Sequence, residues 1–493
     1  MTGLHLDRRA LLLGGVGVAS TAAALTFDPA EAGSTVTKRF KGAFTAATKA
    51  DWYYLPFDVP RGVREIRVRY TYPDPLPGPG YSKNVIDIGI FDPSGAGLGN
   101  AAGFRGWSGG ARTSFRISRG SATPGYLAGS ITPGRWRVAL GPYQIVSRVP
   151  YEVTVTLLFG RQDPRFQPDP APTAVPDTGA GWYRGDLHVH TVHSDGSQTQ
   201  PEVLRYARAA GLDFLGTAEH NTSSATRTWG RYVPDDFLVI DGEEVTTRAG
   251  HWLATGIPAA TWIDWRYRPE DHRLARFTQQ VRDLGGLSVA AHPSIAVPSI
   301  RWDFGADFAE MDAVEVWNAS WDYFDNLTVK SWHALLSAGT FKPALGNSDT
   351  HKQSQTVGLP HNVVRAETLS TAAVIGALRG GHSWIAESSA VDLAFTATLG
   401  DVTGECGDHV PSGDGDEVAV HLHVSGVPGC TATLIGPGDA VTYGSASALE
   451  DGTITLDATV PGGTAFVRAE VRRNGGPPAN LTMVAMTNPI FLT

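Results

Sequence analysis

Residues 185–197 read GDLHVHTVHSDGS and hold three histidines and two aspartates within thirteen positions. The segment opens as an apolar run in which His188 and His190 flank Val189. Successive side chains of a strand point to opposite faces, so the two histidines share one face and Val189 lies behind them. Two imidazoles on one face are a common way to hold a metal ion. This stretch therefore predicts a strand that ends in a metal site.

Later segments place further histidines and carboxylates at or just after the ends of predicted strands. Asp349 and His351 repeat the two-residue spacing in GNSDTH. Neutral imidazoles combined with carboxylates suit Zn, Mn or Fe, and so large a set exceeds the needs of one ion. The sequence therefore predicts two to three divalent metal ions. The candidate ligands are His188, His190, Asp195, His220, Glu244, His251, His292, Asp349 and His351.

Each of these residues also has a plainer interpretation when it is taken alone. His292 precedes Pro293 and would serve as a structural histidine, Glu244 as a surface carboxylate, and Asp195 as a turn residue. The coincidence decides against that view, because six of the 15 histidines fall at strand ends of one region.

Helical segments alternate with apolar strands in the central region, 182–389. PEVLRYARAA (201–210) follows the candidate N-cap Thr199 and precedes the strand that leads to His220. HRLARFTQQVRDL (272–284) and NLTVKSWHALLSAG (326–339) repeat the scheme. Repeated helix-to-strand units predict a parallel sheet or barrel with its active site at the carboxyl ends of the strands.

The flanking regions have the short alternating runs and Pro/Gly turns of antiparallel β-structure. We expect an N-terminal β-sandwich at 35–160 and a C-terminal β-sandwich at 390–493. Residues 161–181 contain five prolines and little periodicity, which predicts a stiff linker.

The first 32 residues differ from the rest. Arg8 and Arg9 precede a weakly apolar, Gly/Ala-rich run that ends at the small-x-small sequence Ala30-Glu31-Ala32. This pattern resembles a twin-arginine export signal. We expect a periplasmic or secreted protein with no stable membrane span after processing; the alternative is a retained N-terminal membrane helix.

Charge and cysteine content restrict the partners. The formal charge is -9 and no Lys/Arg-rich block occurs, so nucleic acid is not an expected partner. The two cysteines, Cys406 and Cys430, are close enough in sequence for a disulfide in an oxidising compartment. Two independent buried thiols are the alternative.

The series GDLHVHTVHSDG, TAEHN, GEEVTTRAGH, AAHPS and GNSDTH resembles the polymerase-and-histidinol-phosphatase (PHP) superfamily. More narrowly, it resembles the exported metallohydrolases of the CehA/McbA family. The resemblance covers about 200 residues and implies an α/β distorted (β/α)7 barrel with a trinuclear site. It also selects Glu244 over Glu243 as the ligand. The implied first ion has His188, His190, Glu244 and Asp349; the second has Glu244, His251 and His292; the third has Asp195, His220 and His351.

These features predict an exported metal-dependent hydrolase, in which His188, His190, Glu244 and Asp349 hold a metal-activated water. A phosphoesterase acting on a phosphomonoester or phosphodiester fits best, since phosphoryl oxygens can span several ions. The alternatives are a carboxyl or carbamate ester hydrolase and a metal-stabilised binding module without turnover. We expect a small-molecule or polymer-borne ester substrate, with contact to the cell envelope through the β-sandwich domains left open. The candidate substrate contacts are His193, Asn221, Asn318 and Lys352.

Overall fold

The computed structural model describes residues 33–48, 50–73, 83–146, 148–297, 300–438, 441–474 and 482–493. The predicted export signal at 1–32 lies outside these residues. Within the described ranges, no helix has the length and apolar character required to cross a bilayer.

The N-terminal region forms two four-stranded antiparallel sheets, in the orders β1-β8-β3-β6 and β2-β7-β4-β5. Their facing apolar side chains, such as Ile66, Ile88 and Trp136, form one buried core. The strands are β1 (Thr35–Phe44), β2 (Tyr53–Val59), β3 (Val63–Thr71), β4 (Val85–Phe91), β5 (Phe104–Trp107), β6 (Ser114–Ser118), β7 (Gly134–Gln144) and β8 (Val149–Phe159).

The central region contains ten strands and the four α-helices of the described residues. Three of those helices, α1, α2 and α3, lie where the apolar periodicity predicts them. The strands are β9 (Gly181–Val189), β10 (Phe214–Thr217), β11 (Leu238–Ile240), β12 (Gly242–Thr247), β13 (Gly250–Thr255), β14 (Leu287–Ala291), β15 (Ala313–Asn318), β16 (Ala344–Asn347), β17 (His361–Ala366) and β18 (Ser383–Ala386). The helices are α1 (Gln200–Ala209), α2 (Leu274–Asp283), α3 (Tyr323–Ser337) and α4 (Thr371–Gly380).

The predicted (β/α)7 barrel is wrong. Such a barrel needs a helix after each of seven parallel strands, but the described central region has four helices for ten strands. β12, β13 and β14 pair antiparallel in succession, as do β9 with β17 and β17 with β18. Antiparallel neighbours can be joined by short turns and need no crossover helix. The region is therefore built from mixed sheets, one of which has the order β12-β13-β14-β15-β16.

The other central sheet continues into the C-terminal region. Its order is β11-β10-β9-β17-β18-β26-β25-β22-β23, with β27 paired to β25, and the junction is the antiparallel pair of β18 with β26. A four-stranded sheet, β20-β19-β21-β24, shares a core with its C-terminal part. The strands are β19 (Asp392–Leu399), β20 (Val402–Gly404), β21 (Glu417–Ser425), β22 (Cys430–Ile435), β23 (Thr442–Ser447), β24 (Ile454–Pro461), β25 (Phe466–Arg473), β26 (Thr482–Thr487) and β27 (Ile490–Phe491).

Asn488, just after β26, fastens this junction to the central region. Its side-chain oxygen accepts from Ala344 N at 2.8 Å, and its amide nitrogen donates to Ala344 O and Ser383 O at 3.1 Å each. Because Ala344 opens β16, the C-terminal segment braces the strand that leads to Asp349.

The N-terminal sheets pack on the central region through aromatic rings. Trp262 stacks on Phe104 with centroids 4.2 Å apart, and Trp265 lies 4.7 Å from Trp107. The buried Arg266 guanidinium donates to Tyr54 Oη at 2.5 Å. These contacts fix the first region against the second.

The predicted disulfide is also wrong. Cys406 and Cys430 are both buried free thiols. Burial raises the pKa of each thiol, and Cys430 Sγ donates to Pro428 O at 3.6 Å. The pair therefore follows the alternative of two independent core residues.

Candidate metal centre

The strand ends of the two central sheets meet at one place. Val189, at the end of β9, bridges Thr350 beyond β16, and His220 beyond β10 bridges Glu244 in β12. His190 N also donates to Thr350 O at 3.0 Å. These short links bring together all nine candidate ligands predicted from the sequence, although the segments lie far apart in the chain.

The deepest part of the cluster has four donors in close contact. His188 Nε2 lies 3.4 Å from Glu244 Oε2 and 3.3 Å from Asp349 Oδ1. His190 Nε2 lies 3.4 and 3.1 Å from the same two oxygens. Four ligands at tetrahedral corners with bonds of about 2.05 Å stand about 3.3 Å apart. The four His–carboxylate distances are close to this spacing, and His188, His190 and Asp349 form one group that could hold an ion.

Hydrogen bonding gives independent support for this fit. His188 Nε2, His190 Nε2, Glu244 Oε2 and Asp349 Oδ1 are all buried, and none has a hydrogen-bond partner among the described residues. Buried polar atoms are nearly always satisfied, and an unsatisfied one costs about 1–3 kcal/mol. Buried, unpartnered donor atoms that lie this close together can hold a metal ion.

Glu244 connects this group to two further histidines. Its Oε1 lies 2.9 Å from His251 Nδ1 and 3.2 Å from His292 Nε2. His251 Nε2 and His292 Nδ1 are buried without partners among the described residues. Glu244 thus uses one oxygen toward each side, as a bridging carboxylate does.

The outer part of the cluster contains Asp195, His220 and His351. Asp195 Oδ1 lies 3.5 Å from His220 Nε2 and 3.3 Å from His351 Nε2, and His190 belongs to the same group. The side chain of Asp195 is 44% exposed, whereas those of His188 and His190 are 0% exposed. The cluster is therefore closed at its base and open to solvent on the Asp195 side.

The carboxylates and histidines of the cluster shift one another's pKa values. Burial raises the pKa of Asp349, but His188 and His190 outweigh this and hold it well below its usual range. Burial lowers the pKa of His190 to about 3, with His351 and His220 adding to the effect. Burial also lowers the pKa of His188, but the carboxylates of Asp349, Glu315 and Glu244 raise it well above its ordinary value. A metal ion at this point would replace the His188 proton.

Glu315 is an important residue that the sequence interpretation missed. It is buried on β15, and its Oε1 accepts from His188 Nδ1 at 3.0 Å and from Asn347 Nδ2 at 2.9 Å. Its Oε2 accepts from His292 N and Asn318 Nδ2 at 2.9 Å each. A carboxylate behind a ligating histidine fixes the ring and leaves Nε2 free for the ion. The available signal was a lone Glu within the apolar run AVEVW.

Two further buried carboxylates hold the backbone around the ligands. Asp186 accepts from His188 N at 3.2 Å and from Ser348 N at 3.1 Å, which ties β9 to the segment carrying Asp349. Glu219 accepts from Ser194 Oγ at 2.5 Å in the loop that carries Asp195. Neither residue is among the candidates from the sequence, because each lies just before a more conspicuous histidine.

The backbone is strained at two candidate ligands. His292 has φ +31° and Asp349 has φ +47°. Residues other than glycine adopt such values at a cost of about 1–3 kcal/mol, and they occur preferentially at functional sites. Packing around the cluster holds both residues in this conformation.

The four candidate substrate contacts lie in different surroundings. Asn318 Nδ2 lies 3.4 Å from Asp349 Oδ2, beside the cluster. Asn221 is buried, and its amide is paired with the Thr246 backbone. Lys352 is exposed, and His193 Nδ1 lies 2.8 Å from Ser224 Oγ in a neighbouring cavity. Of the four, Asn318 thus has a ligand carboxylate as its neighbour.

Glu243 lies next to Glu244 but faces away from the cluster. Its Oε2 accepts from Ile263 N at 3.1 Å. Burial raises its pKa well above the usual range, which favours the protonated carboxyl. Successive side chains of β12 point to opposite faces, so Glu244 faces the cluster and Glu243 does not.

Comparisons with known proteins give weak likenesses. No protein family model and no curated protein matches the chain. An amidohydrolase from Chromobacterium violaceum with bound sulfate is 20% identical at a TM-score of 0.28, covering 35% of this chain and 89% of that chain. A glycosyl hydrolase family 2 member from Bacteroides cellulosilyticus is 10% identical at a TM-score of 0.22, covering 88% of this chain and 76% of that chain. These TM-scores are too low to carry an argument about fold or activity.

Proposed function

We propose that the protein is a metal-dependent hydrolase of ester bonds that uses two to three divalent ions and prefers phosphoesters. The observation that carries the proposal is the set of four buried, unpartnered donor atoms on His188, His190, Glu244 and Asp349. The resemblance of the five motifs to the PHP superfamily supports it, because those motifs contribute all nine side chains of the cluster. On the pattern of residues 1–32, we propose that it acts outside the cytoplasm.

Turnover is favoured over a purely structural metal site by the open side of the cluster. Structural ions are usually enclosed by four protein ligands, whereas catalytic ions keep a position for water or substrate. Asp195 and His351 have side chains 44% and 27% exposed, so a ligand can reach the cluster from their side. Divalent ions bound there would lower the pKa of a water molecule and polarise a substrate oxygen.

The chain itself supplies positioning and charge. Glu315 and Asp186 hold His188 from its ring and from its backbone nitrogen. Asn318, whose amide lies beside Asp349, can donate to a substrate oxygen at the edge of the cluster. Preorganised donors of this kind stabilise charge that develops during the reaction without having to reorient.

The candidate ligands extend over several neighbouring groups, and this arrangement suits a phosphoester substrate. Four groups of donors each contain Glu244 or His190, and their shared members join them into one continuous array. The transferred phosphoryl group has several oxygens that neighbouring ions can bind together, and its cleavage depends mostly on positioning and electrostatics. A carboxyl ester offers one carbonyl oxygen and would use less of this array.

The proposal is tested by assaying the purified protein with Mn or Zn against three esters. These are p-nitrophenyl phosphate, bis-p-nitrophenyl phosphate and p-nitrophenyl acetate. We expect metal-dependent release of p-nitrophenol from a phosphate ester and loss of at least 100-fold in kcat/KM in His190→Gln. Cleavage of the acetate alone would assign the protein to carboxyl esters.

His361→Gln is the matched control, since His361 is equally buried but contacts Arg184 and Gly358 and belongs to none of the candidate metal groups. This variant should keep its metal content and turnover. Bound metal without turnover of any ester, with unfolding on chelation, would contradict the proposal and favour a structural metal site. Elemental analysis below two ions per chain would contradict the multinuclear assignment.

A further inference from the structure

A cavity with a volume of about 570 Å³ lies between the N-terminal and central regions. Segments 120–128, 163–167 and 224–232 contribute most of its lining, and His193 completes one side. Small-molecule sites usually have volumes of about 300–1,000 Å³. The cavity is therefore large enough for a metabolite-sized ligand, and its lining residues include none of the nine candidate metal ligands.

The lining is cationic. It includes Arg165, Arg227 and Arg231, and Asp163 is its one carboxylate among the described residues. No described carboxylate forms an ion pair with any of these three arginines. Arg227 is half-buried, and burial lowers its pKa without an offsetting carboxylate. The lining therefore has three arginines and one carboxylate, although the whole chain has a net charge of -9.

The guanidinium groups of Arg227 and Arg231 are held in place, and each keeps N–H donors that a ligand can use. Arg227 Cζ lies 4.7 Å and Arg231 Cζ 5.4 Å from the centroid of the Phe166 ring. Arg227 Nη1 donates to Ala128 O at 3.4 Å, and Arg231 Nη2 donates to Gln167 O at 3.0 Å. Each guanidinium has five N–H donors, so most of them remain for a ligand. Arginine donors in a fixed fork match the geometry of phosphate and carboxylate groups.

His193 contributes an imidazole N–H donor to this lining. Ser224 Oγ accepts from Gly125 N at 3.0 Å and lies 2.8 Å from His193 Nδ1. If the hydroxyl donates to Nδ1, the imidazole has its proton on Nε2, and a charged imidazole has one there as well. In this arrangement His193 offers an N–H donor on Nε2.

The cavity wall is preformed. Gly125 has φ +92°, and a Cβ at this position would lie 2.8 Å from Trp107 O and 2.9 Å from His193 O. Thr222 Oγ1 donates to Gly125 O at 2.9 Å. The N-terminal loop thus fits closely on the segment that carries His193, so a ligand would meet donors already in place.

We propose that this cavity binds a small molecule through an oxyanion, either a phosphate, a sulfate or a carboxylate group, at a site separate from the metal cluster. The unpaired arginines, the His193 donor and the absence of competing ion pairs among the described residues all serve this one ligand chemistry. The site goes beyond the proposed hydrolysis and does not depend on it.

The test is isothermal titration of the full chain with inorganic phosphate, sulfate and acetate in separate runs. Metal is first removed with a chelator and then dialysed away, because phosphate would also bind at a loaded metal cluster. We expect saturable binding of at least one anion at one site per chain. Arg227→Gln and Arg231→Gln should each raise the Kd at least 10-fold. The anion that binds most tightly identifies the preferred group.

Arg301→Gln is the matched control, since Arg301 is an exposed arginine paired with Asp303 away from the cavity. Its Kd should equal that of the unsubstituted protein. His190→Gln should bind the anion normally, which separates this site from the metal centre and from any failure of the proposed hydrolase activity. Absence of binding to all three anions, or an unchanged Kd in a folded Arg231→Gln variant, would overturn the proposal. Arg231 is exposed, so that variant should fold even if Arg227→Gln does not.

Discussion

Replacement of Glu315 by glutamine is expected to weaken metal binding without changing any candidate ligand. In the native protein, both oxygens of Glu315 accept two hydrogen bonds each, from His188, Asn347, His292 and Asn318. The glutamine amide would place an NH2 group against two of these four donors. The charge that stabilises the His188 Nδ1–H would also be lost. Both effects weaken the hold on the Nε2 atom that faces the cluster.

The magnitude follows from these contacts. Hydrogen bonds to a charged group contribute about 1.5–3 kcal/mol each, so two lost bonds lower the free energy of unfolding by about 3–6 kcal/mol. Loss of a carboxylate behind a ligating histidine lowers metal affinity about 10- to 100-fold. The assay is competition between the protein and a chromophoric chelator for Zn or Mn, with folding monitored by circular dichroism.

Glu243→Gln is the control for this experiment. Glu243 is equally buried on β12 of the same sheet, but its carboxyl accepts from Ile263 N and burial raises its pKa well above the usual range. The Glu243→Gln variant should have a metal Kd within about twofold of that of the native protein. The reasoning would be refuted by a folded Glu315→Gln variant with native metal affinity, or by an equal loss in Glu243→Gln.

Three further predictions concern pH, packing and metal removal. Burial raises the pKa of Asp241 to about 8, so this carboxyl stabilises the fold fully below about pH 4 and loses the contribution as pH rises through 8. Urea unfolding at pH 5, 6 and 7 should show stability of the native protein falling by about 1.4 kcal/mol per pH unit more than that of Asp241→Asn; parallel curves would contradict this. Asn488→Ala should lower the free energy of unfolding by about 2–4 kcal/mol, because it leaves buried backbone groups of Ala344 and Ser383 unpaired. Asn474 is exposed, so Asn474→Ala should change the free energy of unfolding by less than about 0.5 kcal/mol. Chelation should lower Tm, and readdition of metal at about 100 times its Kd should restore about 2.7 kcal/mol; a Tm indifferent to both would argue against a bound ion.

The candidate site was accessible from the sequence because its signals are local. His188 and His190 share a face through the alternation of a strand, and Asp349 and His351 repeat that spacing. The structure brings these residues together with the others of the predicted set. Glu315 could not be predicted from the sequence, because the residues that it contacts are distant along the chain. A single Glu in an apolar strand also repeats at no regular spacing that would mark it as functional.

The fold was harder to predict because strand direction leaves little trace in a buried sheet. Strands covered on both faces appear as continuous apolar runs whether their partners are parallel or antiparallel. The helix before each of three strands was correctly predicted, and the barrel was an extrapolation from them. β12, β13 and β14 break that extrapolation, since they pair antiparallel and no α-helix lies between β12 and β13.

The pairing of β18 with β26 has a consequence for how this chain can be divided. A chain shortened at residue 389 would lose β26 and leave the hydrogen-bonding groups of β18 exposed at a sheet edge, where strands of other copies can add. It would also lose Asn488, which clamps the start of β16. The C-terminal region and the histidine-bearing strands therefore share one sheet, and we expect them to fold as one unit that cannot be cut at residue 389.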